Sequence, residues 1–276
     1  MTGSKGFIGG QLISILRKDL SLEVKGFDAQ GIPSHELGAE TLKILEEFEP
    51  NTVFHVGANS DTLAFDLESV FLQNVQATEL IAEWSLRNEA KLIYSSSAAC
   101  YGVSGDYPAN LYGWSKYCGE KIVTGKGGVA LRYFNVYGPG ENQKGKMASF
   151  LFQYHASLKL GKPISLFPGN PARDFIHVND VVLANLKAEA AHDEIRGGIF
   201  DVGTGTATPF ESMIEAFEME VTYHNPEVIP VGYQFYTQAS KQKFLPGWSP
   251  TLSPLEGARS YIDYLKKLSS ETSGQS

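Results

Sequence analysis

Thr2-Gly3-Ser4-Lys5-Gly6-Phe7-Ile8-Gly9-Gly10 runs straight into Gln11-Leu12-Ile13-Ser14-Ile15-Leu16-Arg17-Lys18, and this junction frames everything downstream. Glycines at 3, 6 and 9 let the backbone turn tightly and approach a phosphate closely. The apolar spacing after them predicts a helix. Its N-terminus would offer free N–H groups and partial positive charge to a pyrophosphate. Leu22-Glu23-Val24-Lys25-Gly26-Phe27-Asp28 then reads as a strand ending in an acid. Asp28 stands about twenty residues beyond the glycines, the spacing at which a carboxylate meets adenosine ribose hydroxyls. A plain surface turn would also explain the glycines, but not this spacing and context together. A dinucleotide loop normally follows an apolar strand, yet only Met1 precedes Thr2. Either the first strand lies upstream of this sequence or the fold tolerates a stub in the middle of its sheet.

Working outward, strand-like and helix-like patterns alternate through the first half. A helix over 41–49 leads to a strand at 52–56, a long helix at 67–87 to a strand at 91–95. A helix over 112–124 precedes Val129-Ala130-Leu131-Arg132-Tyr133. Such βα alternation predicts an α/β fold with a Rossmann-like parallel sheet and helices on both faces. Gly57-Ala58-Asn59-Ser60 lies just past a strand end, where ligands bind in these sheets. Asn74 interrupts the apolar face of the long helix, either solvated or bonded to a ligand. The second half is less regular. Helices are expected at 147–160, 209–217 and 254–268, and a strand at 164–167. Asp174-Phe175-Ile176-His177 and Ile199-Phe200-Asp201-Val202 read as strands returning to the main sheet. The domains expected are 1–135 with 174–203, which hold the dinucleotide, and a smaller α/β unit from 136–173 with 204–276. The polar tail from Ser269 reads as disordered.

Composition narrows the class. At 276 residues the chain can bury a sizeable core, and 42% hydrophobic with 20% charged residues fits a globular protein. A net charge of −8 without a basic run disfavours nucleic acid. Two cysteines fit a reducing compartment better than a disulfide scaffold. No signal peptide or membrane-length apolar run is visible, so the cytoplasm is the expected address. The six histidines lack metal-ligand spacing, and His55 reads as a satisfied structural residue.

Chemistry concentrates at Tyr112-Gly113-Trp114-Ser115-Lys116. A tyrosine and a lysine four apart share a helix face. Ser95-Ser96-Ser97 lies upstream, after Leu92-Ile93-Tyr94. Free tyrosine titrates near ~10, and a nearby ammonium would lower that value. Ser97, Tyr112 and Lys116 together suit oxidation and reduction of a carbinol carbon, although Tyr-x-x-x-Lys alone is a weak signal.

Four stretches in order now carry a resemblance: Thr2-Gly3-x-x-Gly6-Phe7-Ile8-Gly9, Ser95 to Gly102, Tyr112-x-x-x-Lys116, and Leu131 to Pro139. Together they resemble the extended short-chain dehydrogenases that act on nucleotide sugars. Within that family Glu141 to Ser149, Arg173-Asp174-Phe175 and Gly232 to Ala239 are most similar to ADP-glycero-manno-heptose 6-epimerases. The resemblance implies NAD or NADP as cofactor, a nucleotide-sugar substrate and a homo-oligomer. It places Gly3, Gly6, Phe7, Ile8 and Gly9 at the pyrophosphate and Asp28 at the adenosine ribose. Gly57, Ala58, Asn59, Ser60, Asn74 and Val136 would line the cofactor. Ser97 and Tyr112 would flank the reacting carbinol, Lys116 would bind the nicotinamide ribose, and Lys144 would be a second acid/base. Asn135, Lys146, Phe167, Gly169, Asn170, Arg173 and Tyr233 match substrate positions, and the planar fork of Arg173 suits a diphosphate.

The departures are also informative. The segment from Asp28 to Val53 is short for the family, as is the loop from Tyr101 to Tyr112. Lys146 replaces a common serine, and Gln153 a substrate histidine. Ala29 follows Asp28, and no cation for a 2′-phosphate is evident before Lys43. A 4,6-dehydratase would need an acidic pair where Ala98-Ala99 stands. A UDP-hexose 4-epimerase uses the same Ser, Tyr and Lys, and a non-enzymatic nucleotide-binding protein on this fold is the further alternative.

Overall fold

A computed structural model of the chain describes residues 1–103, 105–217, 221–229 and 233–273. Helix α1 (Phe7–Leu16) follows the glycine run with Gly6 at its N-cap. Next come α2 (Leu37–Phe48) and β1 (Thr52–His55). The long helix expected at 67–87 is divided into α3 (Leu67–Val70), a π-helical turn at Phe71–Gln76, and α4 (Ala77–Arg87). Then follow β2 (Lys91–Ser97), α5 (Leu111–Gly125) and β3 (Val129–Tyr133). The serine run is therefore the end of β2 and not part of a loop.

The remaining elements are β4 (Asn135–Tyr137), a 3₁₀ turn at Glu141–Met147, α6 (Phe150–Lys159), β5 (Ile164–Leu166) and β6 (Ala172–His177). After these stand α7 (Val178–Ala190), β7 (Ile199–Val202), β8 (Ala207–Pro209), α8 (Phe210–Ile214), β9 (Val221–Tyr223) and α9 (Pro254–Ser273). Helix α9 carries the chain through 269–273, where disorder was expected. Ser269 hydroxyl donates to Leu265 O at 2.9 Å and keeps the turn closed.

The main sheet has the order β1-β2-β3-β7, every pair parallel. Alternate residues feed opposite faces. Phe54, Ile93, Leu131 and Val202 pack with Leu12 and Val181 on one side. Val53, Leu92, Tyr94 and Ala130 pack with Ile81 and Val123 on the other. A third core gathers Leu151, Ile164, Phe175, Met213, Tyr261 and Ile262.

The place of the first strand is filled by Met1 and Thr2. Thr2 bridges in parallel to both Phe27 and His55. Its N–H donates to Phe54 O at 3.0 Å, and Phe27 N–H donates to Met1 O at 2.8 Å. The strand expected over 22–28 contracts to that bridge at Phe27. The Met1 amino group also donates to Lys25 O at 2.8 Å.

One more expectation is corrected. Residues 172–177 do form a strand, but β6 does not join the main sheet. It lies parallel to β4 and antiparallel to β8 in a separate three-stranded sheet, and β5 pairs with β9. Every residue of β6 after Ala172 is buried, including the polar Arg173, Asp174 and His177, so its pattern gives no sign in sequence of which sheet it joins.

Candidate functional site

A cleft of about 1060 Å³ runs along the C-terminal ends of β1, β2 and β3. One end is walled by the glycine run, including Gly3, Gly6, Phe7, Ile8 and Gly9. Gly9 has no room for a side chain: a Cβ there would stand 2.0 Å from Gly3 O. The backbone can thus fold closely over whatever lies before the N-terminus of α1. Asp28 lines the same end. Its Oδ2 accepts from Lys5 N–H at 3.0 Å and its Oδ1 from Gln30 N–H at 3.2 Å, so the carboxylate ties the glycine run to the segment after Phe27. Lys5, Ala29, Gln30 and Thr41 share that wall. They carried no signal in the sequence, because their side chains meet only once the chain has folded.

Below the glycine run sits His55, 3% exposed. Thr78 hydroxyl donates to Asn74 O at 2.6 Å, so it accepts from His55 Nε2–H at 2.8 Å. Nδ1 then accepts from Thr2 hydroxyl at 2.7 Å, and Thr2 Oγ1 accepts from Gly57 N–H at 3.0 Å. Burial pushes the imidazole down to about 3, holding it neutral. His55 is a structural clasp between the stub, the 57–60 loop and α4.

Gly57, Ala58, Asn59 and Ser60 line the cleft, as do Asn135 and Val136. Asn74 does not: it is 1% exposed and saturated by protein. Its Oδ1 accepts from Asn59 N–H at 2.7 Å, and its Nδ2 donates to Asn59 O and to Ser115 Oγ, both at 2.9 Å. Its amide, inside the π-helical turn, joins the 57–60 loop to α5. No polar atom of that amide remains for the direct contact expected of it.

At the centre of the cleft Ser97 ends β2, while Tyr112 and Lys116 project from α5, whose first turn is capped by Asn110 Oδ1 accepting from Gly113 N–H at 2.8 Å. The Ser97 hydroxyl stands by Tyr112. Lys116 Nζ donates to Ser95 O at 2.7 Å. The expectation that the ammonium lowers the tyrosine is corrected. Burial pushes Tyr112 up to about 12, opposed by the Ser97 hydroxyl and helped by Cys100, so the phenol stands above its ordinary value and not below it. Burial also pushes Lys116 down to about 8.

The 3₁₀ turn brings Lys144 into the same cleft, its Nζ 5.2 Å from the Phe7 ring centre. Burial lowers this lysine too, opposed by Glu141. Glu141 is wholly buried and accepts from Gly138 N–H and from Ser149 N–H and hydroxyl, which anchors the turn. The side chain of Lys146, and Gly232, lie outside the described residues.

Phe167, Gly169, Asn170, Arg173 and Tyr233, expected at the substrate, are not among the residues that line the cleft. Phe167 and Tyr233 meet edge to face at 5.0 Å, and Arg173 Cζ lies 5.0 Å from the Tyr233 ring centre. Gly169 and Asn170 make the turn between them, both at positive φ. Arg173 is 7% exposed, and its Nη1 has no partner among the described residues. It shares a face of β6 with Phe175, which lines the cleft together with Phe150 and Phe210. These phenylalanines read only as core in the sequence.

This geometry has counterparts. A heptose-6-epimerase of Brachyspira hyodysenteriae, named for ADP-L-glycero-D-manno-heptose, is 34% identical over 242 residues, covering 78% of this chain and 76% of that protein. The crystal structure of the Helicobacter pylori ADP-L-glycero-D-manno-heptose-6-epimerase superposes with a TM-score of 0.83 at 28% identity, over 96% of this chain and 94% of that one. A Thermus thermophilus UDP-glucose 4-epimerase solved with NAD gives 0.80 at 25% identity, over 96% and 97%. A family model described as NAD dependent epimerase/dehydratase matches residues 1–203, and the chain belongs to that family.

Proposed function

We propose that the protein epimerises a nucleotide-activated sugar, with ADP-glycero-manno-heptose inverted at carbon 6 as the best-supported substrate. One observation carries this reading: Tyr112 and Lys144, from separate elements, enter one cleft with their proton affinities pushed apart. The cleft suits NAD, since the Gly9 cradle, the α1 N-terminus and the Asp28 carboxylate match pyrophosphate and ribose. When bound, oxidised nicotinamide supplies a temporary acceptor for hydride, so that a sugar carbinol passes through a ketone and can regain hydrogen on its other face.

The chain's own groups handle protons and position. Tyr112, protonated at neutral pH, gives its phenolic proton to the substrate oxygen, with the Ser97 hydroxyl alongside. Lys144, whose ammonium is disfavoured by burial and opposed in this by Glu141, takes a hydroxyl proton in this reading. Reversal exchanges the roles. Lys116 holds a ribose hydroxyl, and Arg173 offers its open Nη1 to the diphosphate. Ala98-Ala99 supplies no acidic pair for dehydration.

Among the described residues no helix is long and apolar enough to cross a membrane. The free thiols Cys100 and Cys118 support a cytoplasmic address. Exposed Phe71 and Trp114, on adjoining helical segments, support a homo-oligomer.

The test is incubation with ADP-, GDP- and UDP-sugars plus NAD or NADP, following stereocentres by proton NMR. Inversion at carbon 6 of the ADP-heptose is expected. Inversion only at carbon 4 of a UDP-hexose would replace this reading by that of a hexose epimerase. Binding without turnover would leave a nucleotide-binding protein.

A further inference from the structure

Lys116 is 3% exposed, and no carboxylate lies within ion-pair distance of it among the described residues. Its helix neighbour Glu120 is taken by Arg132, through two bonds of 2.7 Å. Two groups compensate the buried ammonium, and both come from consecutive residues of β2. Ser95 gives its carbonyl at 2.7 Å, and Tyr94 gives its ring face, with the centroid 4.8 Å from Nζ. Successive strand side chains point to opposite faces. The Ser95 hydroxyl accordingly goes to Tyr133 at 2.9 Å, while the Tyr94 ring is driven under α5.

Helix α5 is cut to receive that ring. Gly119 lies three residues beyond Lys116 on the same helix face. A Cβ there would stand 2.2 Å from the Tyr94 hydroxyl and 2.6 Å from its Cζ. Gly119 and Tyr94 thus form a socket and plug, with Lys116 resting on the plug.

We propose that Tyr94 is a positioning residue for Lys116, its ring face holding the ammonium charged and aimed at the cleft. The proposal rests on the reading of Lys116 above for its effect on cofactor, but the placement itself does not. A ring face at a desolvated site favours a cation. Among the described residues the other titratable or charged groups acting on Lys116 or lining the cleft with it include His55 on β1, Cys100 in the turn after β2, Tyr133 on β3, and Tyr112 and Glu120 on α5. His55 is held neutral, and Glu120, although it favours the ammonium, is paired with Arg132 and makes no direct contact with Lys116. The ring is therefore the neighbour whose loss the ammonium should feel most.

The experiment compares Tyr94→Phe, Tyr94→Leu and Gly119→Ala in the full chain. Lys116 is titrated by NMR on 13Cε-lysine-labelled protein, its signal assigned with Lys116→Met, and NAD affinity is measured alongside. The wild type and Tyr94→Phe should both titrate near the buried value of about 8 and bind NAD within twofold of each other. Tyr94→Leu should titrate about one unit lower and bind NAD about 5–10-fold more weakly. Gly119→Ala, which displaces the ring without removing it, should shift Lys116 in the same direction even where Tyr94→Leu does not fold. The proposal is overturned if the folded variants titrate as wild type, or if Tyr94→Phe falls as far as Tyr94→Leu. If wild-type protein binds no NAD, the cofactor reading fails and the titration still decides the role of Tyr94.

Discussion

Lys116 on α5 and Arg173 on β6 are both buried cations beside one cleft, and the fold houses them differently. Lys116 is compensated from within, by Ser95 O and the Tyr94 ring. Arg173 rests on Tyr233 and leaves Nη1 without a partner among the described residues. Arg132 supplies the limiting case: Glu120 closes it bidentately, and Ser96 hydroxyl donates to the same carboxylate at 2.6 Å. Buried polar groups are nearly always satisfied, so an orphan asks for an explanation. The fully closed pair supports the β2–α5 junction, the ammonium is compensated by carbonyl and ring, and the buried guanidinium keeps one nitrogen unpartnered among the described residues.

The largest expected effect lies on the Lys116 side. Tyr112→Phe should lower turnover by about 10²–10⁴-fold while NAD affinity stays near wild type. The check is NMR-followed epimerisation with cofactor binding measured in parallel. An unchanged rate would move the acid/base chemistry away from α5 and dissolve the comparison.

Lys116→Met comes next, and its sign is unusual. The folded lysine titrates at about 8 against a model value of 10.5. Below 8 both folded and unfolded states carry the charge, and the fold bears the full burial cost, roughly 3 kcal/mol. Between those two values the unfolded state binds more protons, so wild-type stability rises with pH. The inactive Lys116→Met protein should therefore be more stable at pH 7, with its advantage shrinking toward pH 10.5. Denaturant unfolding at several pH values measures this. A variant less stable at pH 7 would mean that Ser95 O and the Tyr94 ring more than offset desolvation.

Arg173→Gln should act on substrate alone. Losing a charge-assisted bond to a diphosphate is worth about 1.5–3 kcal/mol, or roughly 10–100-fold in KM for the sugar nucleotide. NAD affinity should not move. Equal losses for both ligands would show that Arg173 supports the whole cleft.

What sequence could reveal follows the same division. The glycine run, the βα alternation and Tyr112-x-x-x-Lys116 are local patterns, and the helices and strands carrying them form within a few residues of expectation. Features that depend on partners were not legible. The segment before Asp28 has strand composition, yet its pairing is confined to the bridge between Phe27 and Thr2. Residues 172–177 show no alternation that would name a sheet, and they join β4 and β8. Asn74 looks like a polar residue awaiting a ligand until its three bonds to Asn59 and Ser115 are seen. Tyr94 reads as one more apolar strand residue, because a contact through a ring face has no sequence spacing of its own. The tyrosine is raised and not lowered for a related reason: how deeply the fold buries a phenol has no local sequence pattern.

The smallest effect tests the anionic counterpart of these cations. Asp28 is held by Lys5 N–H and Gln30 N–H, and its charge lies in the wall that also contains Lys5. A carboxylate there accepts ribose hydroxyls and repels a 2′-phosphate. Asp28→Asn keeps an oxygen acceptor and removes the charge. It should weaken NAD by only a few-fold, since one neutral hydrogen bond is worth about 1 kcal/mol. It should also improve NADP relative to NAD, as the repulsion goes and Lys5 gains influence. Titrating both cofactors into wild type and variant measures the ratio. An unchanged ratio would show that the Asp28 charge is already spent on the two backbone N–H groups. The adenosine end would then resemble the Arg132–Glu120 pair, closed and structural, with discrimination left to Lys5 and Gln30.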